Sequence, residues 1–140
     1  MPELVEQSGD RNRSVSRLHG VVLVLEAATF AVAGSLHLGA RIPLGFVTFY
    51  GEHEAKAALP ELLIAVVLLL GAIVVFGRPD EARQVGAIAT GFAIFGVLVG
   101  LVTIALGLGP RTVPDLVYQV GIMVVLLISF AVLMNRRPAR

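Results

Sequence analysis

Four long apolar segments, residues 18–38, 60–77, 82–108 and 115–134, occupy most of the chain, and most of the charged residues gather between and beyond them or at their ends. An α-helix crosses roughly 30 Å of hydrocarbon in about 20 mostly apolar residues, so each segment has the length of a membrane span. A soluble domain of 140 residues could not bury so much apolar side chain, since 56% of the residues are hydrophobic and the mean hydropathy is +0.87. Lipid must be the main solvent. The expected fold class is all-α, an integral membrane four-helix bundle. Residues 1–17 form a polar N-terminal tail, residues 18–134 a single four-span domain, and residues 135–140 a basic tail. The first span is longer than the core of a secretory signal peptide and no convincing cleavage site follows it, so it is expected to be retained.

Lys and Arg set orientation, because cytoplasmic loops keep positive charge. With four spans both termini share one side, which holds Arg11, Arg13, Arg17, Arg78, Arg83, Arg136, Arg137 and Arg140; the other holds Arg41, Lys56 and Arg111. The bias predicts cytoplasmic termini in a bacterial-type inner membrane. The loop from Gly39 to Leu59 then faces outward, together with His37, Glu52, His53, Glu54, Glu61 and Asp115. Within it, residues 42–50 are apolar and aromatic, suited to the headgroup boundary, and residues 51–59 read as a helical lead into the second span.

Two stripes stand out on the helices. In the third span Ala82, Gly86, Ala89, Ala93, Gly96, Gly100, Thr103 and Gly107 recur every three or four residues. Small side chains let helices approach closely where lipid offers little hydrophobic drive, so Gly86, Ala93, Gly96, Gly100 and Gly107 are read as packing positions against a neighbouring helix of the bundle or of a second copy. On the first span His19, Glu26, Ala33 and His37 are 7, 7 and 4 residues apart. At 100° per residue they fall within about 40° of one another. Ionisable groups at membrane depth turn toward a bundle interior, a partner or a water-filled cavity, so this stripe is expected to point inward.

Glu26 reads in two ways: as a proton- or ligand-binding group, or as a protonated carboxyl group donating a hydrogen bond to a facing helix such as the third. His37 has Glu61, His53 and Tyr118 as candidate partners at the outer mouth. In the fourth span Asp115 is placed to act as the N-cap, and Ser129 is the one polar residue past Gly121. His37, His53 and Glu54 are candidate ligands for a metal ion, and His37 with His53 for haem, although no His-x-x-x-His or Glu-x-x-His run supports either. The absence of cysteine removes thiolate sites and disulfides, and there is no Gly-x-Ser-x-Gly, phosphate-binding glycine loop or basic run suited to nucleic acid.

The first span ending in "LHLG", followed by an outer loop and "PELLIAVVLLLG", resembles the small four-helix DoxX-like membrane proteins, whose second span commonly starts with a glutamate and ends its apolar run in a glycine. The resemblance covers the first half of the chain. It implies a four-helix bundle acting as an accessory component of a bacterial membrane redox or stress system; Glu61 and Gly71 carry over, and no catalytic residue does. The expectation is therefore a non-enzymatic accessory or interaction subunit, or a small-ligand binder, self-associated or part of a larger membrane complex and needing no cofactor. An oligomeric proton-coupled channel or transporter and a metal- or haem-binding membrane redox protein remain the alternatives.

Overall fold

The computed structural model describes the backbone of residues 2–44, 47–50, 54–108 and 112–135, with side chains from residue 14 onward except at positions 42, 44 and 47–50. It is a four-helix bundle of α1 (Pro2–His37), α2 (Ala55–Gly77), α3 (Ala82–Ala105) and α4 (Val113–Asn135). All four contain a stretch long and apolar enough to cross a membrane, that of α1 beginning at Ser14. The chain is a multi-pass membrane protein. Helix α1 packs along α2, α2 along α3 and α3 along α4, with a smaller contact between α1 and α3 across the middle.

The polar N-terminal segment is helical and continuous with the first span, giving α1 a length of 36 residues. The loop after α1 also departs from the expected interfacial segment. Residues Arg41–Leu44 (β1) and Val47–Tyr50 (β2) pair as an antiparallel hairpin, with Arg41 opposite Tyr50 and Leu44 opposite Val47. Val47, Thr48, Phe49 and Tyr50 are β-branched and aromatic residues that favour a pleated strand. The helical lead into the second span is present from Ala55, with Pro60 inside α2. There the ring cannot donate to the carbonyl of Lys56 one turn back.

Two glycines end helices by taking a left-handed backbone. Gly39 has φ 86° and Gly107 φ 76°. After α1 the amides of Gly39 and Ala40 donate to the carbonyls of Leu36 and Ser35; after α3 those of Gly107 and Leu108 donate to Ile104 and Thr103. Both are Schellman terminations, in which a residue without Cβ closes the helix at no steric cost. This reassigns Gly107, expected on the packing stripe. It lies beyond the end of α3 and is exposed.

The rest of the stripe packs. Ala82, Gly86, Ala89 and Ala93 are buried, and Gly96 and Gly100 are half-buried. A Cβ on Gly86 would touch Leu133 of α4, one on Gly96 would lie 2.6 Å from Ile64 of α2, and one on Gly100 would meet the Gln119 amide of α4 at 3.1 Å. The stripe thus serves two neighbours at once, α2 and α4, both within the chain. Leu23, Phe30, Leu68, Val75, Val97 and Leu126 fill the interior. Outward-facing Leu25, Leu63, Leu70, Ile73, Phe95 and Ile128 are more than half exposed, as lipid-facing residues should be.

Candidate functional site: a His and carboxyl cluster over a cavity at the hairpin end

The inward stripe of α1 is polar at two depths. At the deeper one Glu26 is 3% exposed and accepts a hydrogen bond from the Ser129 hydroxyl of α4 at 2.7 Å. A facing helix does supply the partner, but it is the fourth, and the Ser129 hydroxyl is the donor where Glu26 was expected to donate. Its second oxygen, Oε2, is buried without a partner. Thr90 of α3 is fully buried and its hydroxyl is likewise unpartnered. Because the carboxyl group turns inward and has a polar partner, it does not meet lipid directly.

Ser129→Ala is expected to cost about 1–3 kcal/mol, since it leaves both carboxyl oxygens of Glu26 buried and unbonded. Ser129→Ala combined with Glu26→Leu should recover most of that loss. Thermal unfolding of the two variants in detergent checks this, and equal stability of wild type and Ser129→Ala would contradict it.

Eleven residues along the same face, at the hairpin end, His37 is held between two carboxyl groups. Its Nδ1 is 2.7 Å from Glu61 Oε2 on α2, and its Nε2 is 3.5 Å from Asp115 Oδ1 on α4. The local fold explains how they meet. The Glu54 amide donates to the His37 carbonyl at 2.7 Å, so α2 begins where α1 stops and Glu61 arrives two turns later beside the imidazole. Asp115 is positioned by its own helix start. Thr112, rather than Asp115, occupies the capping position: the Asp115 amide donates to the Thr112 hydroxyl at 3.3 Å, and that hydroxyl donates to Asp115 Oδ2. Asp115 sits within the first turn, which leaves its other oxygen free to face His37.

Below this cluster is a cavity of about 200 Å³. Its mouth is lined by His37, Glu54, Lys56, Glu61 and Asp115, and its deeper wall by Phe30, Ile64, Val97, Tyr118 and Gln119. Gly96 and Gly100 also line it, with Ile64 and the Gln119 amide packed against them. Tyr118 meets Phe30 edge to face, with centroids 6.4 Å apart and planes at 76°. Three polar atoms along this wall are buried with no hydrogen-bond partner: Glu61 Oε1, the Tyr118 hydroxyl and Gln119 Oε1. Buried polar atoms are normally satisfied, so three orphans around one cavity mark a place that a ligand or water would complete.

Of the residues singled out in the sequence, His37, Glu61, Tyr118 and Glu54 thus surround one space, and Glu26 forms a separate site deeper in the bundle. His53 lies outside the described residues. Among the described residues no three His, Cys, Asp or Glu side chains converge on a point where a metal ion would sit. The imidazole of His37 stands between Glu61 and Asp115, so those two carboxyl groups face its opposite nitrogens. Sequence reasoning had given Asp115 a capping role and had not assigned Gln119 to the site. A signal was present, since Asp115, Tyr118 and Gln119 share one side of the first turns of α4 at i, i+3 and i+4. No family model, curated protein or solved structure matches this chain.

Proposed function

We propose that this protein is a non-enzymatic small-molecule-binding membrane protein whose ligand occupies the cavity at the hairpin end of the bundle. The observation that carries this reading is the set of unpartnered buried atoms of Glu61, Tyr118 and Gln119 around one space of about 200 Å³. Ligand pockets combine mostly apolar walls with a few placed polar groups, and Phe30, Ile64, Val97 and Ile104 supply the apolar part here. A dry engineered cavity of about 150 Å³ already admits benzene, so a ligand of this scale or slightly larger fits. His37, braced on both sides, holds α1, α2 and α4 around the opening.

The same proposal places the protein in a bacterial-type inner membrane with both termini cytoplasmic, supported by Arg17, Arg78 and Arg83 at the termini end against Arg41 and Lys56 at the other. The cavity then opens toward the outer leaflet. Kinship with the DoxX-like proteins belongs to the proposal as well. The two positions that carry it, Glu61 and Gly71, are both buried, one at the cavity and one at the α2–α3 contact.

Gly100→Leu fills the cavity from the α3 side. A fragment library of benzene-sized compounds, screened by saturation-transfer NMR on protein in lipid nanodiscs, should yield ligands that bind wild type and are lost in Gly100→Leu. A screen in which no compound distinguishes the two proteins would end this reading.

A further inference from the structure

The cavity has a charged mouth and an apolar floor, and the two ends together select a chemical class. At the mouth three carboxyl groups, those of Glu54, Glu61 and Asp115, face one lysine, Lys56, with His37 between Glu61 and Asp115. The balance is acidic. Glu61 is 4% exposed and keeps an oxygen with no partner, and Gln119 offers a second unpartnered oxygen further in. Both are acceptors, and the third unpartnered atom, the Tyr118 hydroxyl, can accept as well as donate, so a hydrogen-bond donor can complete all three.

Phe30 lies seven residues deeper than His37 on α1, which at 1.5 Å per residue is about 10 Å, and Ile64 lies one turn deeper than Glu61 on α2. Phe30 and Tyr118 present aromatic rings there, and Ile64 and Val97 aliphatic surface.

Resting on the binding function proposed above, we infer that the ligand is a small amphiphilic cation, with an ammonium head at Glu61 and Gln119 and an apolar tail on the Phe30, Ile64 and Val97 floor. A neutral alcohol of the same shape satisfies the same acceptors but brings no charge to the acidic mouth. Charge is therefore the quantity to vary.

The test is calorimetric titration of the protein in zwitterionic nanodiscs at pH 7.5, with empty discs as blank, using benzylamine and its neutral isostere benzyl alcohol. Benzylamine is expected to bind at least about tenfold more tightly than the alcohol. Glu61→Gln should abolish that preference while leaving alcohol binding in place, and Asp115→Asn, at the rim, should reduce the preference by a smaller factor. If the alcohol binds as tightly as the amine, the cationic class is wrong while the cavity still binds ligand. If neither binds wild type above the blank, the cation inference is overturned along with the binding function it rests on.

Discussion

Gly71→Ala is expected to destabilise the bundle by about 1–3 kcal/mol, the range for forcing an extra methyl into a packed contact. A Cβ at this position of α2 would lie 2.8 Å from the Cβ of Ala89 on α3. An alanine methyl cannot rotate aside, so the two backbones must separate. Gly20 and Gly96 have contacts as short, both at 2.6 Å, but against the Phe76 ring and the Ile64 tip. Phe76 is half exposed to lipid and can swing, and an isoleucine tip can change rotamer, so Gly20→Ala and Gly96→Ala should cost less. The double variant Gly71→Ala with Ala89→Gly moves one methyl from α3 to α2 and should regain most of the loss. Thermal unfolding followed by circular dichroism gives the ranking. If Gly71→Ala unfolds at the wild-type temperature, α2 and α3 do not approach at this point.

The second large effect concerns the His37 and Glu61 pair. His37→Ala is expected to cost roughly 3–5 kcal/mol, because removing one partner of a buried pair strands the other. Glu61 would then have neither oxygen bonded within the protein, and Asp115 would lose its facing nitrogen. The instructive comparison is His37→Ala with Glu61→Leu, which removes the stranded group as well. It should be more stable than His37→Ala alone, since a buried polar atom left unmade costs more than a bond never attempted. Should the double variant prove less stable than the single, the stranded Glu61 carboxyl group is not the source of the loss.

The spans were readable from the sequence because lipid imposes one requirement, a long apolar helix, that few other structures meet. The inward polar stripe of α1 and the small-residue stripe of α3 were readable for a related reason: a helix turns periodicity into a face. What a face meets is another matter. Ser129 is 103 residues from Glu26, and nothing in either helix marks the other as its neighbour. The single polar residue in the apolar part of α4 was the only trace of that bond. Asp115 was misassigned because capping is a local rule satisfied equally well by Thr112, three residues earlier. The hairpin went unread because each strand is only four residues long, so the alternation of Arg41 and Thr48 with Ile42, Leu44, Val47 and Phe49 is too short to separate a strand from an interfacial segment. Gly107 followed the stripe's spacing in sequence, yet the helix had already ended.

The two contacts between α1 and α4 govern sliding as well as strength. Greasy helix surfaces lined with small residues can slip past one another by a turn and find nearly equivalent contacts. Asp115 and Ser129 are 14 residues apart, about 21 Å along α4, while His37 and Glu26 are 11 apart, about 16 Å along α1. A shift of about 5.4 Å, one turn, of either helix along the other would part both pairs together. Polar side chains placed at two heights thus fix the register of a helix whose remaining surface would tolerate several.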